Sequence, residues 1–330
     1  MQIFYLSNRP EVFAQTWAYV RRFMPWVTEA IVVAPPATHE RFADDPSLRL
    51  VDEVALSGLS AAALASLDHV QRNVTLRRAA IAADLLDDTF LMSDDDYRPM
   101  KPVPESFFTG DGSGDIGYFF HDLPSWPGDS TDYDAAQHVT SEVLGYLGAP
   151  RRAYGSHMPQ IIRRDIWDVA FEHFDALRSD QVIDEWSLYF NIGQWKFPDR
   201  FGDPRPYETM CWPPRLHEFA MWIRPPAYSF ENFYPEFYEP ENLFHGIPPE
   251  LDEDEVGRRS VEKLLRWSEL GRRAERLDFD PAIFDPWTKQ HPGRVLLFRA
   301  LRQVRWAQGH LAIGDRQRLG QLSERVDERR

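Results

Sequence analysis

What most constrains this chain is the alternation, within its first hundred residues, of short apolar runs and helical stretches. QIFYL (2–6), EAIVVAPP (29–36), SLRLVDE (47–53) and DTFLMSDDD (88–96) read as strands. The stretches around 11–23 and over 60–87 read as helices. Two prolines stop the second run, since proline cannot donate to a strand ladder. Strands alternating with helices predict an α/β fold, a mostly parallel twisted sheet flanked by helices. In such sheets ligands bind beyond the carboxyl ends of the strands. The fourth run ends there on Asp94, Asp95 and Asp96.

Composition removes several classes of function. A length of 330 residues with 43% hydrophobic residues provides for a sizeable core. The net charge of −15 argues against general nucleic-acid binding, which needs basic surface to neutralise phosphates. An anionic substrate would need a local device, either a metal ion or a few placed arginines. Cys211 is the single cysteine, which excludes an internal disulfide framework and fits a reducing, cytoplasmic setting. MQIFYLSNRP lacks the pattern of a secretory signal, and no apolar run reaches the length of a membrane span. No GxGxxG or GxxxxGK[ST] loop follows any strand, so a dinucleotide or P-loop site is not expected.

Further along, residues 110–135 are rich in Gly, Asp, Ser and Pro and read as mobile loops around a short strand. RRDIWDVAFEHFDALR (163–178) reads as an amphipathic helix. Residues 199–250 are rich in proline and aromatics and read as irregular structure around a cleft. From 252 onward the chain reads as C-terminal helices whose arginine excess over 294–330 suits packing, self-association or an anionic lipid surface. The expected domains are therefore 1–250 and a helical extension, 251–330.

Three neighbouring carboxylates repel one another, and a charged strand end in a ligand crevice is costly without a counter-ion. Asp and Glu oxygens suit hard cations such as Mg2+ and Mn2+, which also hold substrate phosphates. Asp94 and Asp96, two apart on an extended segment, share a side and can share an ion, while Asp95 points elsewhere. In the preceding helix, Arg77 falls on the inward stripe formed by Val70, Val74, Ile81 and Leu85, with Asn73 one turn before it. Arg77 either snorkels to solvent or reaches a phosphate or an aspartate of the turn.

With these features the chain resembles a nucleotide-sugar-dependent glycosyltransferase of the GT-A fold, over roughly residues 1–250. The resemblance implies that the DxD holds a divalent metal on the donor diphosphate. Asp94 and Asp96 would bind the metal, Asp94 and Asp95 the nucleotide sugar, and Arg77, Asn73 and His157 would serve the same donor. Arg9, after the first strand, is a candidate for the nucleotide base or phosphate. A third metal ligand would be His217 or His245, and the loop-like surroundings favour His245. The resemblance also implies an acidic residue acting on the acceptor hydroxyl, and Asp184 and Glu185 in SDQVIDEWSLYFNIGQW (179–195) are the candidates. A helix N-terminal acid stabilised by the dipole is the competing reading for that pair. Trp186 and Trp195 offer faces for a sugar ring or pack in the core.

YGSHMPQIIRRD (154–165) looks like the histidine segment of Stealth-type sugar-phosphate transferases, which implies an alternative reaction in which the phosphate travels with the sugar. A non-catalytic carbohydrate-binding protein on the same fold is the second alternative. The arginine-rich, lysine-poor composition associates with a high-GC, actinobacterial source. By that association the donor is GDP-mannose, the acceptor a polysaccharide or glycosylated molecule, and the chain a mannosyltransferase.

Overall fold

The computed structural model describes residues 1–42, 44–126, 128–129, 131–178, 181–210, 229–240, 244–251 and 263. His217 and the expected C-terminal helices lie outside the described residues. Contacts group the chain into two units, Met1–Tyr97 with Pro102–Tyr207, and Arg98–Lys101 with Glu208–Arg330. The expected junction at 250/251 falls inside the second.

The first unit begins β1 (Gln2–Leu6), α1 (Pro10–Phe23), β2 (Glu29–Ala34), β3 (Leu48–Asp52), α2 (Glu53–Ser57), α3 (Ala61–Ser66), α4 (His69–Ala82) and β4 (Thr89–Asp94). β5 (Tyr97–Pro99) leads out of the acidic turn. α5 (Ser106–Thr109), β6 (Tyr118–Phe119), β7 (His121–Asp122), α6 (Asp132–Leu147) and β8 (Arg152–Ala153) follow. The unit closes with β9 (Gln160–Arg163), α7 (Arg164–Arg178), α8 (Glu185–Lys196) and β10 (Arg205–Pro206).

Five strands form the central sheet in the order β3-β2-β1-β4-β9. The first four are parallel and β9 runs antiparallel to β4. The fold is therefore the mixed α/β, mostly parallel arrangement that the strand–helix alternation predicts. Ile3, Phe4, Tyr5, Phe90, Leu91 and Met92 are fully buried, which explains the unbroken apolar runs: a strand covered on both faces cannot alternate with polar residues. The chain leaves β1 for β2 on one side and reaches β4 on the other. Right-handed crossovers then place α1 on one face and α2–α4 on the other. The order reverses between β1 and β4, the kind of switch point beyond whose carboxyl ends such sheets bind ligands.

Two local expectations are corrected. The helix expected over 60–87 is two helices, because Asp68 starts a new one by accepting from the Gln71 backbone N–H at 2.7 Å. Its buried face is Leu76, Arg77, Ala80 and Ile81; Leu85 lies beyond the C-cap Ala83 and leaves the proposed stripe. The segment 110–135 also holds the start of α6, set by a capping box between Thr131 and Asp134. The TDYD pattern carries that signal.

The second unit contains β11 (Thr209–Met210) and β12 (Phe230–Asn232), in a three-stranded sheet with β5, whose Arg98 and Pro99 belong to this unit. Arg98 is fully buried. Its Nε donates to Glu231 Oε1 at 3.0 Å, its other nitrogens to the Pro249 carbonyl at 2.9 Å and Tyr238 Oη at 3.1 Å, and it lies 4.3 Å over the Phe233 ring. Lys263 Nζ reaches the same Glu231 oxygen at 2.6 Å. No helix among the described residues is long and apolar enough to cross a membrane.

Glu231 is thus the carboxylate between two buried cations. Glu231→Gln keeps the volume and removes the charge, and should lower unfolding free energy by about 3–5 kcal/mol, the cost of breaking a buried pair. Urea denaturation followed by circular dichroism measures it. A change below about 1 kcal/mol would mean that solvent or other groups satisfy both cations.

Candidate functional site

The register places Leu6 of β1 opposite Asp94 of β4, so the residues just past each strand meet. Ser7 Oγ donates to Asp95 Oδ2 at 2.6 Å. Arg9, the N-cap residue of α1, donates from Nε to Asp95 Oδ2 at 3.4 Å. One of its terminal nitrogens pairs with Asp95 Oδ1 and stands 3.2 Å from Asp96 Oδ2. Asp94 is engaged separately. Its Oδ1 accepts from Arg77 at 2.7 Å and its Oδ2 from His157 Nδ1 at 2.5 Å. The backbone is extended only as far as Asp94, so the two-residue alternation stops there. Turn geometry sends Asp95 and Asp96 together to Arg9.

Arg77 is 3% exposed and donates through its second terminal nitrogen to Glu185. Its guanidinium lies 4.1 Å from the Trp186 ring centroid, while its Nε has no partner. Trp186 is therefore a packed floor under a buried cation, and the core reading of that residue holds over a sugar platform. Trp195 is half-buried with Lys196 Nζ 3.7 Å over its ring.

His157 adopts a left-handed backbone at φ 63°, a conformation costing a non-glycine residue about 1–3 kcal/mol. Two contacts with Asp94 secure it: the side-chain bond, and the Asp94 backbone N–H donating to the His157 carbonyl at 3.2 Å. Three rings surround the imidazole, with centroids 5.7 Å (Tyr97, stacked), 5.8 Å (Tyr133) and 6.2 Å (Trp186, edge-on) away.

Asp184 and Glu185 open α8. Asp184 is its N-cap: Oδ1 accepts from the Ser187 N–H at 2.7 Å and Oδ2 from Gln137 Nε2 at 2.8 Å. Gly155 packs so closely that a Cβ there would stand 2.2 Å from Asp184 Oδ2. The dipole-and-cap reading describes Asp184. Glu185 is buried and pairs with Arg77.

Electrostatics follow from this arrangement. Burial pushes the Asp94 carboxyl up, but His157 and Arg77 outweigh it and hold it down at about 2. Burial, aided by Asp95 and opposed by Arg9, raises Asp96 to about 7. Burial likewise raises Asp95 against the pull of Arg9, and Glu185 against the pull of Arg77. For His157, burial favours the neutral ring, yet Asp94 raises it overall. Negative charge is thus well compensated at Asp94, while Asp95 and Asp96 stay raised by burial.

The oxygen chemistry of the turn fits a hard divalent cation, which would neutralise a raised carboxylate such as Asp96. Among the described residues no group of three or more His, Cys, Asp or Glu surrounds a common ion position. The carboxylates are turned toward Arg9, Arg77 and His157 instead. His245 is exposed and belongs to the second unit. Asn73 on α4 bonds His69 Nε2 at 3.1 Å rather than any residue of the turn. The fold therefore brings together Arg9, Arg77, Asp94, Asp95, Asp96, His157, Asp184 and Glu185. Sequence reading missed Ser7, Tyr133 and Gln137. Only Ser7, two residues before Arg9, carries a local signal.

No protein-family model and no curated protein matches the sequence. Among solved structures, an active-site mutant of LgtC shares 11% identity over 79% of this chain and 96% of its own, at a TM-score of 0.42. Mouse xyloside xylosyltransferase 1 shares 7% over 72% and 99%, at 0.40. The 4-diphosphocytidyl-2C-methyl-D-erythritol synthase of Anaerococcus prevotii shares 14% over 62% and 87%, at 0.31. Likenesses of this size decide neither family nor activity, and the functional reading below stands on the site's own side chains.

The raised Asp96 carboxyl has a consequence for stability. Above the ordinary aspartate value near 4 the unfolded chain loses this proton while the folded chain keeps it, so stability falls as pH rises from there through about 7. Asp96→Asn removes that penalty. Without metal, the variant should melt higher than the parent at pH 8 and with it at pH 4, as differential scanning fluorimetry can measure. A constant offset at both pH values would place the titration elsewhere.

Proposed function

We propose that this chain is a metal-dependent glycosyltransferase that moves a sugar from a nucleotide-sugar donor to a saccharide acceptor. One observation carries the reading: at the β1/β4 switch point, carboxylates suited to a divalent ion stand directly beside cations suited to a diphosphate, Arg77 and His157. Held by Asp94 and Asp96, Mg2+ or Mn2+ would neutralise charge on the departing diphosphate. Arg9 and Asp95 lie where the nucleoside would enter, next to the end of β1. Arg77 and His157 donate toward phosphate oxygens. Asn73, on the same helix as Arg77, is a more distant donor contact. GDP-mannose is the donor to try first, on composition alone.

A thermal-shift panel of nucleoside diphosphates with and without Mn2+ tests the donor side. The protein should be stabilised by one diphosphate only when Mn2+ is present, and Asp96→Asn should abolish that shift. A full metal-dependent shift in the variant would move the metal elsewhere.

On the acceptor side, the sugar hydroxyl needs a group to take or hold its proton. With Asp184 Oδ1 capping α8 and its Oδ2 accepting from Gln137, Glu185 is the proposed member of the pair. Glu185→Gln should lower turnover by roughly 10²–10⁴-fold. Asp184→Asn should act mainly on stability. Parent-like turnover in Glu185→Gln would remove it from the chemistry.

The strained His157 on the acidic turn favours a second reading, sugar-phosphate transfer. Product analysis separates the two, since that reaction releases a nucleoside monophosphate. Donor binding without turnover would instead fit a carbohydrate-binding protein.

A further inference from the structure

Asp94 is gripped in an unusual way. Its two oxygens are held by two different side chains, Arg77 at 2.7 Å and His157 at 2.5 Å, as two oxygens of a phosphate would be. Behind it Arg77 is anchored by Glu185 and lies on Trp186. Its Nε is buried and has no partner, so the guanidinium has donor capacity that Asp94 and Glu185 do not use. The His157 and Asp94 side chains keep 36% and 25% exposure, so the outer half of the clamp is open to solvent while Arg77 behind it is not.

We infer that Arg77 and His157 form an anion clamp of which Asp94 is the built-in occupant, an internal competitor that keeps phosphate-type dianions out until a cation draws its carboxylate away. A ligand anion must displace the Asp94 carboxylate from both donors, and only the fraction of molecules with the clamp open can bind. A divalent ion that takes Asp94 opens the clamp, and an anion that takes the clamp frees Asp94. The two ligands are therefore positively coupled, and by linkage the coupling is reciprocal. The inference rests on the anion-binding half of the proposed function, and its test uses no metal and no nucleotide, so the two can fail separately.

The probe is inorganic pyrophosphate in metal-free buffer with a chelator, titrated calorimetrically into the full chain. Asp94→Asn should bind it about tenfold tighter than the parent, or more. Asp165→Asn, which alters an exposed carboxylate paired with Arg200 outside the site, should bind it like the parent. Asp94→Ser serves as a second variant if the amide keeps both hydrogen bonds. In the unsubstituted chain with carboxyl-¹³C aspartate, saturating pyrophosphate should shift one aspartate carboxyl resonance as it leaves the clamp. Unchanged or weaker binding in both Asp94 variants, or carboxyl resonances that do not move on saturation, would overturn the inference. A shift in the parent sustains it even if both variants fail to fold.

Discussion

The site depends on one buried guanidinium. Arg77 projects from α4 and bonds Asp94 at the end of β4 and Glu185 at the start of α8, with the Trp186 ring beneath it. Burying such a charge costs several kcal/mol unless it is paired and hydrogen-bonded, so its two carboxylates are conditions of its burial rather than additions to stability. The geometry that satisfies Arg77 also sets the distance between a helix, a strand end and a second helix. An acidic turn that would otherwise repel itself becomes tenable.

The loop before β9 meets this cation from the other side. Gly155 lets its backbone approach Asp184 where a Cβ would collide, and His157 then turns left-handed onto Asp94. Gln160, fully buried, holds the loop by donating to the Tyr154 carbonyl at 2.5 Å and accepting from the Tyr118 N–H at 2.7 Å. Helix capping and loop strain thus work on one imidazole. Asp184 belongs to this support, since its two oxygens hold α8 and Gln137 while the neighbouring Glu185 serves Arg77.

A site whose acids and bases already satisfy one another behaves differently from an open cluster of like charges. Each carboxylate of the turn faces a cation, so a metal ion or an anion arriving alone must break an existing pair. Ligands that bring both signs exchange pairs for pairs. The nature of the cleft therefore lies in its arrangement of opposite charges, which neither the net charge of −15 nor the acidic turn alone conveys.

The sequence by itself determined the sheet and the place of the acidic turn. Strands buried on both faces must be continuous apolar runs, and β1, β2 and β4 are such runs; three aspartates follow the last. It also marked Arg77, Arg9, His157 and Glu185 as candidates, though not whom they would meet. Only the tertiary structure decided the partners, because Arg77 meets Glu185 across 108 positions and Ser7 meets Asp95 across 88. No local periodicity reaches so far. The alternation that paired Asp94 with Asp96 holds only while the backbone is extended, and the strand ends at Asp94. Which acid caps a helix and which faces a cation was likewise settled by packing, since Asp184 and Glu185 are adjacent in sequence and differ only in what the fold sets against them.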